Sequence, residues 1–198
     1  MPLTKVKSLG ITDGAVIGAD IADSSIALSK LSATGTASAS TFLRGDNSWG
    51  SAGATAGQVI QVLSATDSTA RSSTSTSFVT ASNTLSVTIT PSSTSNKIFI
   101  ISNFNIHTTA NETYAEMTIF RGATNLNSVN SNYGMGRIWS RVDSRPVYPM
   151  AISYLDSPNT TSATTYQIYF RAAPSGTVYL GGLDSGSIAS ITCMEIKG

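Results

Sequence analysis

The first third of the chain repeats a large aliphatic residue at every fifth position, between small and polar neighbours. A helix needs apolar residues three and four apart and a strand needs them two apart, so one chain with this spacing cannot bury them. Three parallel chains could bury one aliphatic side chain of each repeat against its two copies. The spacing therefore predicts an extended fibrous stalk in a parallel homotrimer, with a linker without regular structure as the alternative. The predicted stalk core is Ile11, Val16, Ile21, Ile26 and Leu31.

The composition favours an all-β protein with a polar but weakly charged surface. Roughly three residues in ten are Ser or Thr, and only 12% are Asp, Glu, Lys or Arg. Hydroxyl groups satisfy hydrogen bonds without the desolvation cost of a charge, and Thr is β-branched, which suits strands. The net charge is +1, and the basic residues are scattered rather than clustered as nucleic-acid binding requires. No segment approaches the roughly 18 consecutive apolar residues that predict a membrane span. We therefore expect neither nucleic-acid binding nor membrane insertion.

Composition divides the chain into three parts: a repeat stalk over 1–34, a connector over 35–57 and a head over 58–198. The connector is rich in Gly, Ser and Thr, except for the motif FLRGDNSW at 42–49. Its aromatic and aliphatic residues flank a Gly-Asp-Asn turn signal, which predicts a small hairpin or loop.

The head consists of apolar runs bounded by Ser, Asn, Pro and Gly, with no helical periodicity between them. Within 97–108, residues 98–101 are apolar on both faces, which predicts a central or interface strand, whereas 165–172 alternate between an apolar and a more polar face. Such runs predict an antiparallel β-sandwich of jelly-roll or related topology. The predicted strands are 58–63, 77–79, 85–90, 97–108, 114–121, 147–154, 165–172, 177–181 and 187–197.

The side chains that support catalysis or metal binding are scarce. Cys193 is the only cysteine and His107 the only histidine, which excludes an intrachain disulfide and the usual zinc sites. We expect Cys193 to be buried or half-buried rather than a reactive thiol. We expect His107 to be a satisfied surface or interface residue, rather than a metal ligand shared by three chains. The best carboxylate pair, Glu112 and Glu116, fits solvated strand charges better than an acid and base. We therefore expect no enzymatic activity, cofactor or metal.

The segment 127–148 is rich in Asn, Ser, Arg and aromatic residues and is the predicted recognition loop. Aromatic faces stack on sugar rings, and Arg or Asn can satisfy hydroxyl groups. The candidate receptor-binding residues are Tyr133, Arg137, Trp139, Arg141 and Tyr148. The alternative is that Trp139 and Tyr148 fill the core or the trimer interface.

Three passages resemble bacteriophage fibre proteins. The repeat Asp13-Gly14-Ala15-Val16 resembles the short aliphatic repeats of tail-fibre stalks. The segment 35–49, GTASASTFLRGDNSW, resembles the connector that precedes a distal domain in those proteins. The ending 188–198 is similar to the last strand of C-terminal head domains, some of which resemble the trimeric jelly rolls of the C1q and tumour necrosis factor group.

This resemblance implies a homotrimeric component of a phage virion, on the exterior of the tail or the capsid. Its N-terminus would attach to other virion proteins, and its head would bind a glycan or protein of the host surface. The alternative is a capsid-decorating or tail-joining fibre without a receptor. A polysaccharide-degrading tailspike is disfavoured, because such an enzyme usually needs a long repetitive β-helix with clustered carboxylates. The sequence shows neither feature.

Overall fold

The computed structural model describes the greater part of the chain. Ile11 and Leu31 of the predicted stalk core and Glu112 lie outside the described residues. The residues described are 16–27, 30, 32–51, 53–109, 113–127, 129, 133–141, 146–181 and 187–198.

The chain divides into two compact units, of which the first is Met1–Gly53. Its described part contains a 3-10 turn at Gly18–Asp20 and a hairpin of β1 (Thr41–Leu43) and β2 (Trp49–Ser51). The Oδ1 of Asp46 accepts hydrogen bonds from the backbone N–H and the hydroxyl of Ser48, at 3.0 and 2.6 Å. The connector motif therefore forms the predicted hairpin, whose turn is closed by its own aspartate.

The three predicted stalk-core residues that the structure describes are exposed in the single chain. Val16, Ile21 and Ile26 are 54, 42 and 53% exposed, respectively. Apolar side chains at this spacing thus lack an intrachain core, as their sequence pattern predicts.

The second unit, Ala54–Gly198, is all-β and antiparallel, and its described residues include no α-helix. Its strands are β3 (Val59–Asp67), β4 (Arg71–Ser73), β5 (Val79–Thr80), β6 (Ser86–Ile89), β7 (Lys97–Thr108), β8 (Thr113–Arg121), β9 (Thr124–Asn125), β10 (Gly136–Ser140), β11 (Tyr148–Asp156), β12 (Thr164–Ala172), β13 (Val178–Leu180) and β14 (Ala189–Ile196).

These strands form two six-stranded sheets. The β7 sheet contains β3, β4, β7, β11, β13 and β14, and the β8 sheet contains β5, β6, β8, β9, β10 and β12. Consecutive strands lie in line in four places: β13 and β14 along β7, β9 and β10 along β8, β5 and β6 along β12, and β3 and β4 along the row of β14 and β13. Each sheet is therefore effectively narrower than its strand count suggests.

With each in-line pair counted as one interrupted strand, the chain order matches that of a jelly roll. The first, eighth, third and sixth rows form the β7 sheet, and the second, seventh, fourth and fifth rows form the β8 sheet. Successive rows therefore cross from one sheet to the other at every step, except that the fourth and fifth rows form a hairpin within the β8 sheet. The predicted all-β, antiparallel architecture is confirmed in this unit, and its two sheets are consistent with a sandwich.

The core lies between the two sheets and is contributed by one side of each. Alternate residues of β7, such as Ile98 and Ile100, are fully buried. On β12 the buried residues are Tyr166, Ile168 and Phe170, while the residues between them are half-buried, as the alternation predicted. β7 spans 97–108 as predicted and pairs along both of its edges, so it is a central strand.

The outer side of the β7 sheet carries an apolar row. Met194 lies opposite both Val62 and Phe99, and Phe99 lies opposite Leu155 on β11. Val62 and Leu155 are 54 and 48% exposed, whereas Phe99 and Met194 are half-buried. We call these four residues, which cross β3, β14, β7 and β11, the Phe99 row.

Candidate functional site

Two of the predicted recognition residues, Arg137 and Trp139, lie together on the outer side of the β8 sheet. Both lie on β10, where they flank Ile138, which is 7% exposed and belongs to the core. β10 pairs with β8 so that Arg137 lies opposite Glu116 and Trp139 opposite Tyr114. The recognition segment therefore contains a strand rather than being only a loop, and this strand positions both side chains on the outer side.

Glu116 lies at the centre of this surface, although only 1% of the residue is exposed. The Nε of Arg137 donates to its Oε1 at 2.6 Å, and the Nε of Arg171 donates to its Oε2 at 2.5 Å. Each carboxylate oxygen is thus held by a different guanidinium group. The prediction that Glu116 is a solvated charge is wrong, because arginines from the two neighbouring strands cover it.

Aromatic rings hold the two guanidinium groups in place. Arg137 lies over the rings of Tyr114 and Tyr133, at 4.4 and 5.2 Å from their centroids. Arg171 lies over the ring of Phe78 at 4.7 Å. Cations are attracted to such ring faces, most strongly where water is excluded.

Trp139 completes the cluster, because its ring stacks on that of Tyr114 with the centroids 5.7 Å apart. We call this surface the arginine–aromatic face. It consists of Phe78, Tyr114, Glu116, Tyr133, Arg137, Trp139 and Arg171.

The loop that carries Tyr133 is anchored by its backbone. The Nδ2 of Asn127 donates to the carbonyl oxygens of Tyr133 and Gly134, at 3.0 and 3.2 Å. At Gly134 a Cβ atom would lie 2.6 Å from the carbonyl oxygen of Met117, so only glycine allows this approach to β8. Asn127 and Gly134 thus position Tyr133 beside Arg137.

The arginine–aromatic face presents both flat apolar surface and hydrogen-bond donors to solvent. Trp139 and Tyr133 are 45 and 49% exposed, and the side chain of Arg137 is 37% exposed. Exposed rings can stack on the apolar faces of sugars, and guanidinium N–H groups can donate to their oxygens. The chemistry of this face is that of a binding surface for a polar ligand with flat faces.

The other two predicted recognition residues lie differently. Arg141 is exposed and follows β10 directly. Tyr148 lies on β11 in the β7 sheet, opposite Ile106, and is half-buried against the core. The structure therefore groups Tyr133, Arg137 and Trp139 but separates Tyr148 from them, in accordance with the alternative that Tyr148 fills the core.

The sequence prediction missed Tyr114, Arg171 and Phe78, because they come from other strands. A signal for Glu116 was present: it is the only acidic residue in the strands of the β8 sheet, which also contain Arg121, Arg137 and Arg171. A single carboxylate among arginines in a sheet whose other strand residues are uncharged indicates a buried ion pair.

The remaining buried carboxylates have separate partners. Asp156 accepts from Arg121 at 2.8 Å and from the hydroxyl of Tyr166 at 2.6 Å, while burial raises the pKa of Tyr166 far above its usual range. Glu195 accepts from the side chain of Asn96 and the backbone of Ser92, both at 2.6 Å. Among the described residues no two of these carboxylates form an acid–base pair.

Asp67 and Glu195 have pKa values below their ordinary range. Burial raises the pKa of Asp67, but hydrogen bonds from the Ser82 hydroxyl, the Thr69 backbone and Arg71 outweigh burial and lower it. The same balance lowers the pKa of Glu195, where Asn96 and Ser92 donate. Such hydrogen bonds stabilise the charged form, so both groups are structural anchors.

Cys193 and His107 both lie inside the head. Cys193 is buried as predicted, and burial raises its thiol pKa to about 12. His107 is 1% exposed, and its ring stacks on that of Tyr179 at 4.6 Å, so it is not a surface residue of the single chain.

Over the described ranges, no group of three or more His, Cys, Asp or Glu residues could hold a metal ion. No helix in those ranges is long and apolar enough to cross a membrane.

No protein-family model matches this sequence, and a search of curated proteins finds no match. Among solved structures, the chain is similar to the VP2 subviral particle of infectious bursal disease virus, with TM-score 0.33 and 13% identity, over 69% of this chain and 41% of that chain. It is also similar to the structure of the Gx strain of that virus, with TM-score 0.34 and 12% identity, over 70% and 43% of the two chains. The chain thus spans less than half the length of each of these.

Proposed function

We propose that this chain is a structural fibre protein of a bacteriophage virion, a trimeric tail fibre whose head binds a saccharide of the host surface. The resemblance of the repeat and of the connector to phage fibre proteins supports the virion role. Jelly rolls are frequent among viral coat proteins and lectins, which agrees with both parts of the proposal.

The observation that carries the binding function is the arginine–aromatic face. Trp139 and Tyr133 are both nearly half exposed, although large aromatic side chains are usually buried in monomeric heads. The pairing of β10 with β8 and the two arginines on Glu116 fix the neighbours of these rings before any ligand arrives. Fixed groups lose little conformational entropy on binding, which favours recognition by a small set of contacts.

Two apolar features support a trimer. The repeat residues Val16, Ile21 and Ile26 are exposed in one chain, and three copies could bury them together. The Phe99 row gives the head a second apolar surface, on the opposite side of the sandwich from the arginine–aromatic face. Three heads in contact through this row would each leave the arginine–aromatic face accessible, so three weak sites could bind one cell surface together.

Adsorption of phage particles that carry Trp139→Ala tests the binding function. Truncation of a central aromatic contact costs about 2 kcal/mol, or roughly thirtyfold in affinity at each site, and multivalency increases the effect on adsorption. We therefore expect the adsorption rate to fall at least tenfold. Phe42→Ala is the matched control, because Phe42 is a similarly exposed aromatic residue (48%) in the first unit.

Normal adsorption by Trp139→Ala particles that retain a trimeric fibre would contradict receptor binding through this face. A capsid-decorating or tail-joining role would then be preferred, and imaging the fibre on the particle would distinguish these two positions.

A further inference from the structure

The charges on the arginine–aromatic face do not cancel. Glu116 contributes one negative charge, while Arg137 and Arg171 contribute two positive charges, which gives a local excess of one positive charge. Glu116 is also the only carboxylate in the strands of the β8 sheet. A ligand that approaches this face therefore meets a positive potential without a competing exposed carboxylate from those strands.

The exposed charge is that of Arg137. Its side chain is 37% exposed, compared with 17% for Arg171 and 1% for Glu116. Contacts with Glu116 use the Nε and Nη2 nitrogens of Arg137. A guanidinium group carries five N–H donors in a planar fork, so donors remain for a second oxyanion.

The surroundings of Arg137 combine this charge with ring surface. Its guanidinium lies 4.4 Å from the Tyr114 centroid and 5.2 Å from the Tyr133 centroid, and Trp139 stacks on Tyr114. A sugar ring placed against Tyr133 or Trp139 would bring a substituent of its ring within reach of Arg137. Charge-assisted hydrogen bonds to carboxylate or phosphate are about twice as strong as neutral ones.

We propose that the saccharide bound at the arginine–aromatic face is acidic, with a carboxylate or phosphate group that accepts hydrogen bonds from Arg137. This inference rests on the proposed binding function and specifies its ligand class. Glu116 orients Arg137 and remains shielded by it, so the acidic group meets the guanidinium rather than the carboxylate.

Binding of matched oligosaccharides to the purified full chain tests the inference. The probes are a galacturonate tetrasaccharide, its carboxyl-reduced neutral counterpart, and a phosphorylated mannose oligosaccharide with its dephosphorylated counterpart. We expect at least one acidic probe to bind about tenfold more tightly than its neutral counterpart at low salt, with most of the difference lost near 1 M salt.

Substitutions then assign the preference to Arg137. Arg137→Gln should abolish the preference for the acidic probe, while Arg71→Gln should retain it. Arg71 is a matched control, because it also contacts a buried carboxylate, Asp67, and is similarly exposed (40%), but it lies in the β7 sheet. Glu116→Gln with Arg137→Gln removes one charge of each sign, so it keeps the wild-type net charge and leaves no unpaired carboxylate. This double variant should also lose the preference.

The outcomes separate this inference from the proposed function. Equal binding of acidic and neutral probes that Trp139→Ala abolishes would overturn the acidic class and retain saccharide binding. If the double variant still preferred the acidic probe, the role of Arg137 would be overturned. The preference would then come from the overall positive potential of the face and not from hydrogen bonds of Arg137. Failure of every probe to bind the trimeric protein would overturn the saccharide function together with the inference.

Discussion

The two outer sides of the head differ in the kind of contact that they can make. The arginine–aromatic face holds charges and rings in fixed directions around a buried carboxylate. The Phe99 row is apolar, and the row beside it contains Ser64, Thr192, Ile101 and Ser153 in register. Directional groups discriminate among ligands, whereas apolar rows stabilise any complementary surface that excludes water. The proposed function assigns recognition to one side and assembly to the other, and this division can be tested one face at a time.

The largest expected effect is loss of the trimer in Phe99→Lys. A lysine at a trimer contact would bury an unpaired charge in each of three chains, at a cost of several kcal/mol per chain. Light scattering at micromolar concentration should therefore detect monomers or heads that no longer associate. Thr88→Lys is the control, because Thr88 is exposed on the β8 sheet, where it lies opposite Thr165, and should leave the trimer intact.

The reverse result would exchange the roles of the two faces. If Phe99→Lys remained fully trimeric while Trp139→Lys dissociated the protein, the arginine–aromatic face would be the assembly surface. The alternative that Trp139 fills the trimer interface would then be correct.

The next effect in size is the loss of stability when the centre of the arginine–aromatic face is removed. Glu116→Ala would leave two guanidinium groups close together without their carboxylate. Breaking a buried pair costs about 3–5 kcal/mol, but the arginines are partly exposed to water, so we expect about 2–3 kcal/mol. Denaturant unfolding at a fixed protein concentration measures this change.

Thr192→Ala provides the comparison on the β7 sheet, because Thr192 is half-buried beside the Phe99 row and makes only a long 3.4 Å hydrogen bond to Ser64. We expect it to change stability by less than about 0.5 kcal/mol. Equal effects of the two substitutions would contradict the view that only the arginine–aromatic face depends on a fixed polar network.

The fold was more predictable from the sequence than the site. β7 could be predicted to the residue because its long stretch contains four consecutive apolar residues, 98–101, followed by apolar residues at alternate positions, Phe104 and Ile106. β10 was missed because it has five residues and only Ile138 faces the core strongly, so its state depends on pairing with β8 rather than on local pattern. Pairing between distant strands is a tertiary property that propensity does not encode.

The same reason explains the error at Glu116. Its partners Arg137 and Arg171 lie 21 and 55 residues away in the sequence. The sequence places each arginine near an aromatic residue, but only the order β10, β8, β12 brings both beside one carboxylate. Tyr133, Arg137 and Trp139 could be selected from composition alone, since all three lie within one short segment.

The smallest expected effect is an acid sensitivity that originates in the β7 sheet. Asp67 on β3 and Glu195 on β14 have pKa values lowered by the hydrogen bonds they accept, chiefly from Ser82 and from Asn96, against the opposing effect of burial. A carboxylate with a lower pKa in the folded state stabilises the fold above its unfolded pKa, and this contribution is lost as the pH falls. Unfolding free energy should therefore be constant near neutral pH and decrease below about pH 4, where unfolded carboxylates bind protons.

Asp67→Asn tests the source of this sensitivity. We expect a loss of about 1 kcal/mol at pH 7, because the amide keeps some hydrogen bonds but not the charge-assisted ones. Between pH 4 and pH 3 the stability of the variant should decrease less than that of the wild type, since one of the two responsible groups no longer titrates. Parallel curves of unfolding free energy against pH for the wild type and the variant would mean that Asp67 does not contribute to the acid sensitivity. The same measurement on Glu195→Gln would then show whether Glu195 on β14 alone causes it.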